Sequence, residues 1–106
     1  MIQRLNPEEA KYILDKDKNV RLIDVREEWE NNKARIKNSE LMPLSSFVQM
    51  SQDLNKEQKI MVYCHHGIRS LQVCNYLEEL GFNNLINLEG GIDAWSKKID
   101  GSIPVY

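Results

Sequence analysis

The sequence predicts an α/β domain built on a small, mainly parallel sheet of about five strands with helices on both faces. Two observations carry this. Short apolar, β-branched runs alternate with helical segments along the whole chain, the pattern of strands joined by helical crossovers in a sheet covered on both sides. No repeat, low-complexity stretch or linker interrupts the alternation, and 106 residues suffice for one hydrophobic core but not two. Residues 1–106 therefore read as a single domain.

The elements follow in order. Asn6-Pro7-Glu8-Glu9 is a helix start, with Asn6 as N-cap, Pro7 at the first position and Glu9 at the capping-box position. Ala10, Ile13 and Leu14 supply the apolar stripe. Val20 to Arg26 is a β-branched run with Asp24 near its end, and Glu27-Glu28-Trp29-Glu30 opens a short acidic helix whose carboxylates are expected to lie in solvent and complement the dipole. Leu41-Met42-Pro43-Leu44 is a short extended piece, and Ser45 or Ser46 is placed to cap Phe47-Val48-Gln49-Met50. Lys59-Ile60-Met61-Val62-Tyr63 reads as a buried strand, followed by a helix from about Ile68 to Leu80 that Gly81 stops. Leu85-Ile86-Asn87-Leu88 is the last strand, Glu89-Gly90-Gly91 its turn, and Ile92-Asp93-Ala94-Trp95 the start of a final helix. Gly101 to Tyr106 is a tail. Trp29 and Trp95 are expected to be packing anchors.

Composition narrows the function. A net charge of -2 gives no electrostatic reason to expect a nucleic acid or an anionic membrane as partner. No apolar run approaches a membrane span, and the N-terminal residues lack the apolar core of a signal peptide, so a cytoplasmic location is expected. The two cysteines are then expected as free thiols: Cys74 lies on the second turn of the helix after Cys64, too far along it for a bridge.

The chemistry concentrates in Tyr63-Cys64-His65-His66-Gly67-Ile68-Arg69-Ser70. A cysteine that ends a strand, before a tight loop that opens a helix, sits where unpaired first-turn N–H groups and the positive end of the helix dipole converge. A thiolate is stabilised there and is a better nucleophile for it. Arg69 adds a full positive charge. Ligands of parallel sheets bind beyond the carboxyl ends of the strands, where both Cys64 and Asp24 fall.

With these residues in view the chain resembles the rhodanese-like domains, specifically the single-domain sulfurtransferases, from about Leu5 to Pro104. Three blocks carry the resemblance: 22–30 (LIDVREEWE), 64–70 (CHHGIRS) and 88–95 (LEGGIDAW). The stretch from Ala34 to Pro43 departs from the family, whose members often carry Gly-His-Ile, a Gly-Ala pair and an Ile-Pro. Ile36 and Pro43 match, but the glycines and the histidine are missing.

The resemblance implies a sulfurtransferase in which Cys64 accepts a sulfane sulfur from a small-molecule donor such as thiosulfate, becomes a persulfide and passes the sulfur to a thiol or cyanide. It implies no cofactor and no metal. The amides of His65, His66, Gly67, Ile68, Arg69 and Ser70 are expected to cradle the anionic sulfur. Asp24 and Arg26 are expected in support, with Arg69 either attracting the donor or bracing the loop by pairing with Asp24. A second reading is a sulfur-relay module loaded by a partner such as a cysteine desulfurase, discharging to a sulfur-accepting protein. A third is a cysteine-dependent phosphatase or arsenate reductase. Its loop usually has five residues between Cys and Arg, whereas four separate Cys64 from Arg69.

Plainer roles stand beside these. Cys64 could be an inert core thiol. Cys74, with Val73, Leu77 and Leu80 on one helical face, is expected in the core rather than as a resolving thiol. His65 and His66 suit loop lining or proton transfer better than a metal site, since adjacent residues splay and the chain has no further histidine. Asp24 and Arg26 could be surface residues at a strand end. Gly90 and Gly91 read as turn residues.

Overall fold

The computed structural model describes residues 1–106. The strands are β1 (Ile2–Leu5), β2 (Arg21–Asp24), β3 (Glu40–Leu41), β4 (Ile60–Tyr63) and β5 (Leu85–Leu88). The helices are α1 (Pro7–Lys16), α2 (Glu28–Lys33), α3 (Phe47–Met50), α4 (Ile68–Glu79) and α5 (Gly91–Lys98), with single 3-10 turns at Leu44–Ser46 and Ser51–Asp53. The sheet runs β1-β5-β4-β2-β3, and every neighbouring pair is parallel. No helix is long and apolar enough to cross a membrane.

Alternation along β4 divides the core into two layers. Ile60, Val62 and, one residue past the strand, Cys64 face a cluster that includes Val73, Cys74 and Leu77 of α4. Met61 and Tyr63 face the opposite cluster with Ala10 of α1 and Ile92 and Trp95 of α5. The central strands are buried from end to end, as expected of strands covered on both faces. At the N-terminus of α1 the capping box forms: the Asn6 side chain accepts from the Glu9 amide at 2.9 Å, and Glu9 accepts from the Asn6 amide at 3.0 Å.

Several expectations are corrected. β1 is a strand that the pattern did not announce: it lies at the sheet edge, pairs only with β5, and leaves Gln3 and Arg4 exposed. Leu80 falls past the last turn of α4 and is exposed, off the face that buries Cys74. Trp29 is 62% exposed and makes a T-shaped contact with the Tyr106 ring, whereas Trp95 is a buried anchor. Ser45 does not cap α3; its hydroxyl donates to the Glu27 carboxylate at 2.7 Å, and Ser46, at the cap position, makes no capping bond. The tail is packed. Ile103 is buried, and Tyr106 returns to the carboxyl edge of the sheet.

In the segment that departs from the family pattern, Asn38 takes φ +69°, the one non-glycine residue with a positive φ. Asn tolerates the left-handed region better than other side chains with a Cβ. The turn is then tied to β4, because the Ile36 amide donates to the Tyr63 hydroxyl at 3.1 Å, which also bonds Ser39 Oγ at 2.9 Å. Burial pushes the Tyr63 phenol up to about 12, so it stays neutral.

Candidate active site

The parallel register sets Asp24 of β2 beside Tyr63 of β4, so the residues that follow each strand meet at the carboxyl edge of the sheet. Cys64 leaves β4 there, and the chain turns at once into α4. Gly67 makes the turn possible. Its φ is +101°, and a Cβ would press on the Gly90 amide and the Leu88 carbonyl. The turn brings the Gly67 amide to 3.1 Å and the Ser70 amide to 3.3 Å from Cys64 Sγ. Of the cradle expected over His65–Ser70, these two N–H groups reach the sulfur. The Cys64 thiol itself donates to Ser70 Oγ at 3.4 Å.

The loop is held from outside by α5. The Ile92 amide donates to the Cys64 carbonyl at 2.9 Å and the Asp93 amide to the His65 carbonyl at 3.1 Å. Gly91 permits this approach: a Cβ there would overlap the Cys64 and His65 carbonyl oxygens. Gly91 is thus more than a turn residue. The first turn of α5 ties down the loop carbonyls, which leaves loop amides to face inward.

Cys64 is 1% exposed, and the space above it is a cavity of about 160 Å³ lined by Cys64, His65, His66, Ile68 and Arg69. A larger cavity of about 360 Å³, lined by Lys11, Lys18, Ile36 and Trp95 among others, contains no cysteine or histidine and does not touch the loop. The contrast with Cys74 is chemical. Cys74 is enclosed by core side chains with only the Ile86 carbonyl 3.8 Å from its sulfur, and burial pushes its thiol up to about 12. That is an inert thiol, while Cys64 has N–H donors and a cavity. Both cysteines are unpaired.

The charges around the loop pair differently from the sequence expectation. Asp24 does not brace Arg69. It is wholly buried and holds the equally buried Arg26 through two side-chain bonds of 2.9 and 2.8 Å, accepting also from the Arg26 amide and from Asn31 Nδ2. Neither is therefore a surface residue. Arg26 goes on to the Tyr106 hydroxyl and to the Glu30 and Ala34 carbonyls, knitting β2, α2 and the tail together.

Arg69 instead forms a bidentate pair with Glu30, at 2.8 and 2.9 Å. Glu30 was expected in solvent with Glu27 and Glu28; it is 4% exposed. Its oxygens also accept from the Glu27 amide at 3.0 Å and the Tyr106 hydroxyl at 2.9 Å. Hydrogen bonds from Arg69, joined by those from the Glu27 amide and Tyr106, overcome the cost of burial and hold the Glu30 carboxyl at about 2. Two of the five N–H groups of Arg69 are committed to Glu30, and Arg69 is one of the residues lining the cavity.

His65 stacks on Tyr106 with ring centroids 4.0 Å apart and planes within 2°, and His66 stacks on the other imidazole at 4.0 Å. Burial first, then the neighbouring His66, lowers the pKa of His65 and favours its neutral form. Donor atoms of His65, His66 and Asp93 lie within 4.8 Å of one another. Ring nitrogens bind a cation in the plane of the ring, and two stacked rings hold those planes side by side rather than converging. A shared ion would require the stack to open.

A family model described as the rhodanese-like domain matches residues 6–98. The chain is 43% identical over 89 residues to rhodanese-like/PpiC domain-containing protein 12, chloroplastic, of Arabidopsis thaliana, covering 80% of this chain but only 30% of that protein. It is 32% identical to the putative sulfurtransferase YtwF of Bacillus subtilis, covering 89% of this chain and 90% of the relative. A rhodanese-like domain protein from Staphylococcus aureus has a similar crystal structure, with a TM-score of 0.83 and 30% identity over 98% of each chain.

Proposed function

The chain belongs to the rhodanese-like domain family, and from that premise we propose that it is a sulfurtransferase that carries sulfur on Cys64. The observation that supports this best is the setting of Cys64, whose sulfur accepts from two backbone N–H donors and which lines a small cavity together with Arg69. In the first half-reaction the thiolate attacks the outer sulfur of thiosulfate or a similar donor. A new S–S bond forms, and the donor's own S–S bond breaks with its electron pair leaving on sulfite. In the second, an acceptor thiolate or cyanide attacks the outer sulfur of the persulfide, and the electron pair returns to Cys64. The Gly67 and Ser70 amides stabilise negative charge at the cysteine; removing one such donor elsewhere costs about 3 kcal/mol of transition-state stabilisation. Arg69, held in one orientation by Glu30, draws anionic donors to the mouth. His65 and His66 shape the entrance.

Initial rates of thiocyanate formation, with thiosulfate and cyanide varied together, test this. A persulfide intermediate gives parallel double-reciprocal lines, and Cys64→Ser abolishes turnover. Intersecting lines, or an active Cys64→Ser protein, would contradict it.

A second reading has its own support: the same domain accounts for under a third of the matched Arabidopsis protein, as expected of a module that serves other active sites. In that case the donor is a protein such as a cysteine desulfurase and the acceptor a second protein. Faster persulfide formation with desulfurase and cysteine than with thiosulfate would favour it.

A further inference from the structure

The hydroxyl of Ser70 has one proton and two neighbouring acceptors. Ser70 Oγ lies 3.4 Å from Cys64 Sγ and hydrogen-bonds Asn87 Oδ1 on β5. Both Ser70 and Asn87 are wholly buried, so solvent supplies neither with a partner. The Asn87 amide has only one workable orientation. Its nitrogen donates to the Gly67 carbonyl at 3.2 Å and to the Glu89 carboxylate, and both of those groups only accept. Glu89 is itself gripped by Arg4 through bonds of 3.1 and 3.0 Å. Turned over, the amide would set its carbonyl oxygen against two acceptors. Oδ1 therefore faces Ser70, and the Ser70 hydroxyl must donate to it.

This direction has a consequence at the sulfur. While Cys64 is a thiol, its S–H donates to the lone pair that Ser70 presents. Once the thiol ionises, the same lone pair faces an anion. The hydroxyl can turn toward the sulfur only by leaving Asn87 Oδ1 unpaired in the interior, which costs a buried hydrogen bond.

We propose that Asn87 is a positioning residue that holds the Ser70 proton away from Cys64, so that the Ser70–Asn87 pair favours the thiol and the hydrogen bonds to the thiolate come from backbone N–H groups. The inference rests on Cys64 being the reacting nucleophile, but it concerns the bare sulfur and needs no sulfur transfer to be tested.

The test is the rate of Cys64 alkylation by iodoacetamide as a function of pH, followed by peptide mass. Asn87→Val removes the competing acceptor and frees the proton for the sulfur. The profile should move to lower pH, with about tenfold faster alkylation on its acidic limb, the scale of one hydrogen bond to a charged group. Ser70→Ala should alkylate no more slowly than the unaltered protein, and in that background Asn87→Val should add nothing. A Ser70→Ala protein alkylated about tenfold more slowly would overturn the proposal, because the hydroxyl would then already serve the anion. So would a folded Asn87→Val protein with an unmoved profile. If Asn87→Val does not fold, Ser70→Ala alone decides. Failure of thiosulfate turnover in the unaltered protein would count against the sulfurtransferase reading and leave this one standing.

Discussion

The Glu30 carboxylate accepts hydrogen bonds from Arg69, from Tyr106 and from the amide of Glu27, and so holds the guanidinium of the one arginine that lines the Cys64 cavity. Because its folded pKa of about 2 lies below the ordinary 4.5, the contribution to stability is complete above pH 4.5 and is lost as pH falls toward 2. Its scale is on the order of 3 kcal/mol. Glu30→Gln should therefore flatten the fall of unfolding free energy between pH 4.5 and 2 by close to one proton's worth of slope, measured by urea unfolding at several pH values. An unchanged slope would mean that the pair is loose in solution. Glu30 was not legible as a site residue for a simple reason. In the run Glu27-Glu28-Trp29-Glu30 three carboxylates look alike, and only the tertiary fold brings one of them to an arginine 39 positions later and a tyrosine 76 positions later.

Local signals and tertiary ones separate clearly among the elements. The capping box of α1, the Cys64–Ser70 turn into α4 and the glycine stop at Gly81 are each written within a few consecutive residues, and each forms where the sequence places it. β1 is not written that way: an edge strand needs apolar residues on little of its surface, and Ile2 and Leu5 alone do not distinguish it from a terminus. The turn before β3 is an intermediate case, because Asn38 substitutes for a glycine by adopting φ +69°. Asn38→Gly should leave stability unchanged or raise it by up to about 1 kcal/mol, whereas Asn38→Val should lower it by about 1–2 kcal/mol. Thermal unfolding of the two variants checks this; equal melting temperatures would show that the turn relaxes to a negative φ. Since Asn38 is not among the residues lining the Cys64 cavity, thiosulfate turnover at low temperature should be the same in both.

Across the whole molecule, the buried Asp24–Arg26 pair ties β2 to α2, to the Ala34 segment and to the C-terminal Tyr106. Asp24→Asn would leave the Arg26 charge without its counter-ion in the interior. Losses of about 3–5 kcal/mol are usual for such a change, against a total stability of about 5–15 kcal/mol for a domain. A large drop in the denaturant midpoint is expected; a loss of unfolding free energy under about 1 kcal/mol would show that Tyr106 and the carbonyls suffice to hold the guanidinium. The large drop would make the supporting role expected of Asp24 and Arg26 an architectural one. Cys64, the nucleophile of the proposed reaction, lies one strand away, on a loop that the sheet, α4 and α5 position together. Whether that loop carries sulfur is tested most directly by the intact mass of the protein after exposure to thiosulfate and desalting under non-reducing conditions. The account predicts a gain of one sulfur atom per chain, released by a thiol reductant and absent from Cys64→Ser. No gain with either thiosulfate or a desulfurase supplied with cysteine, or an equal gain in the Cys64→Ser protein, would contradict it.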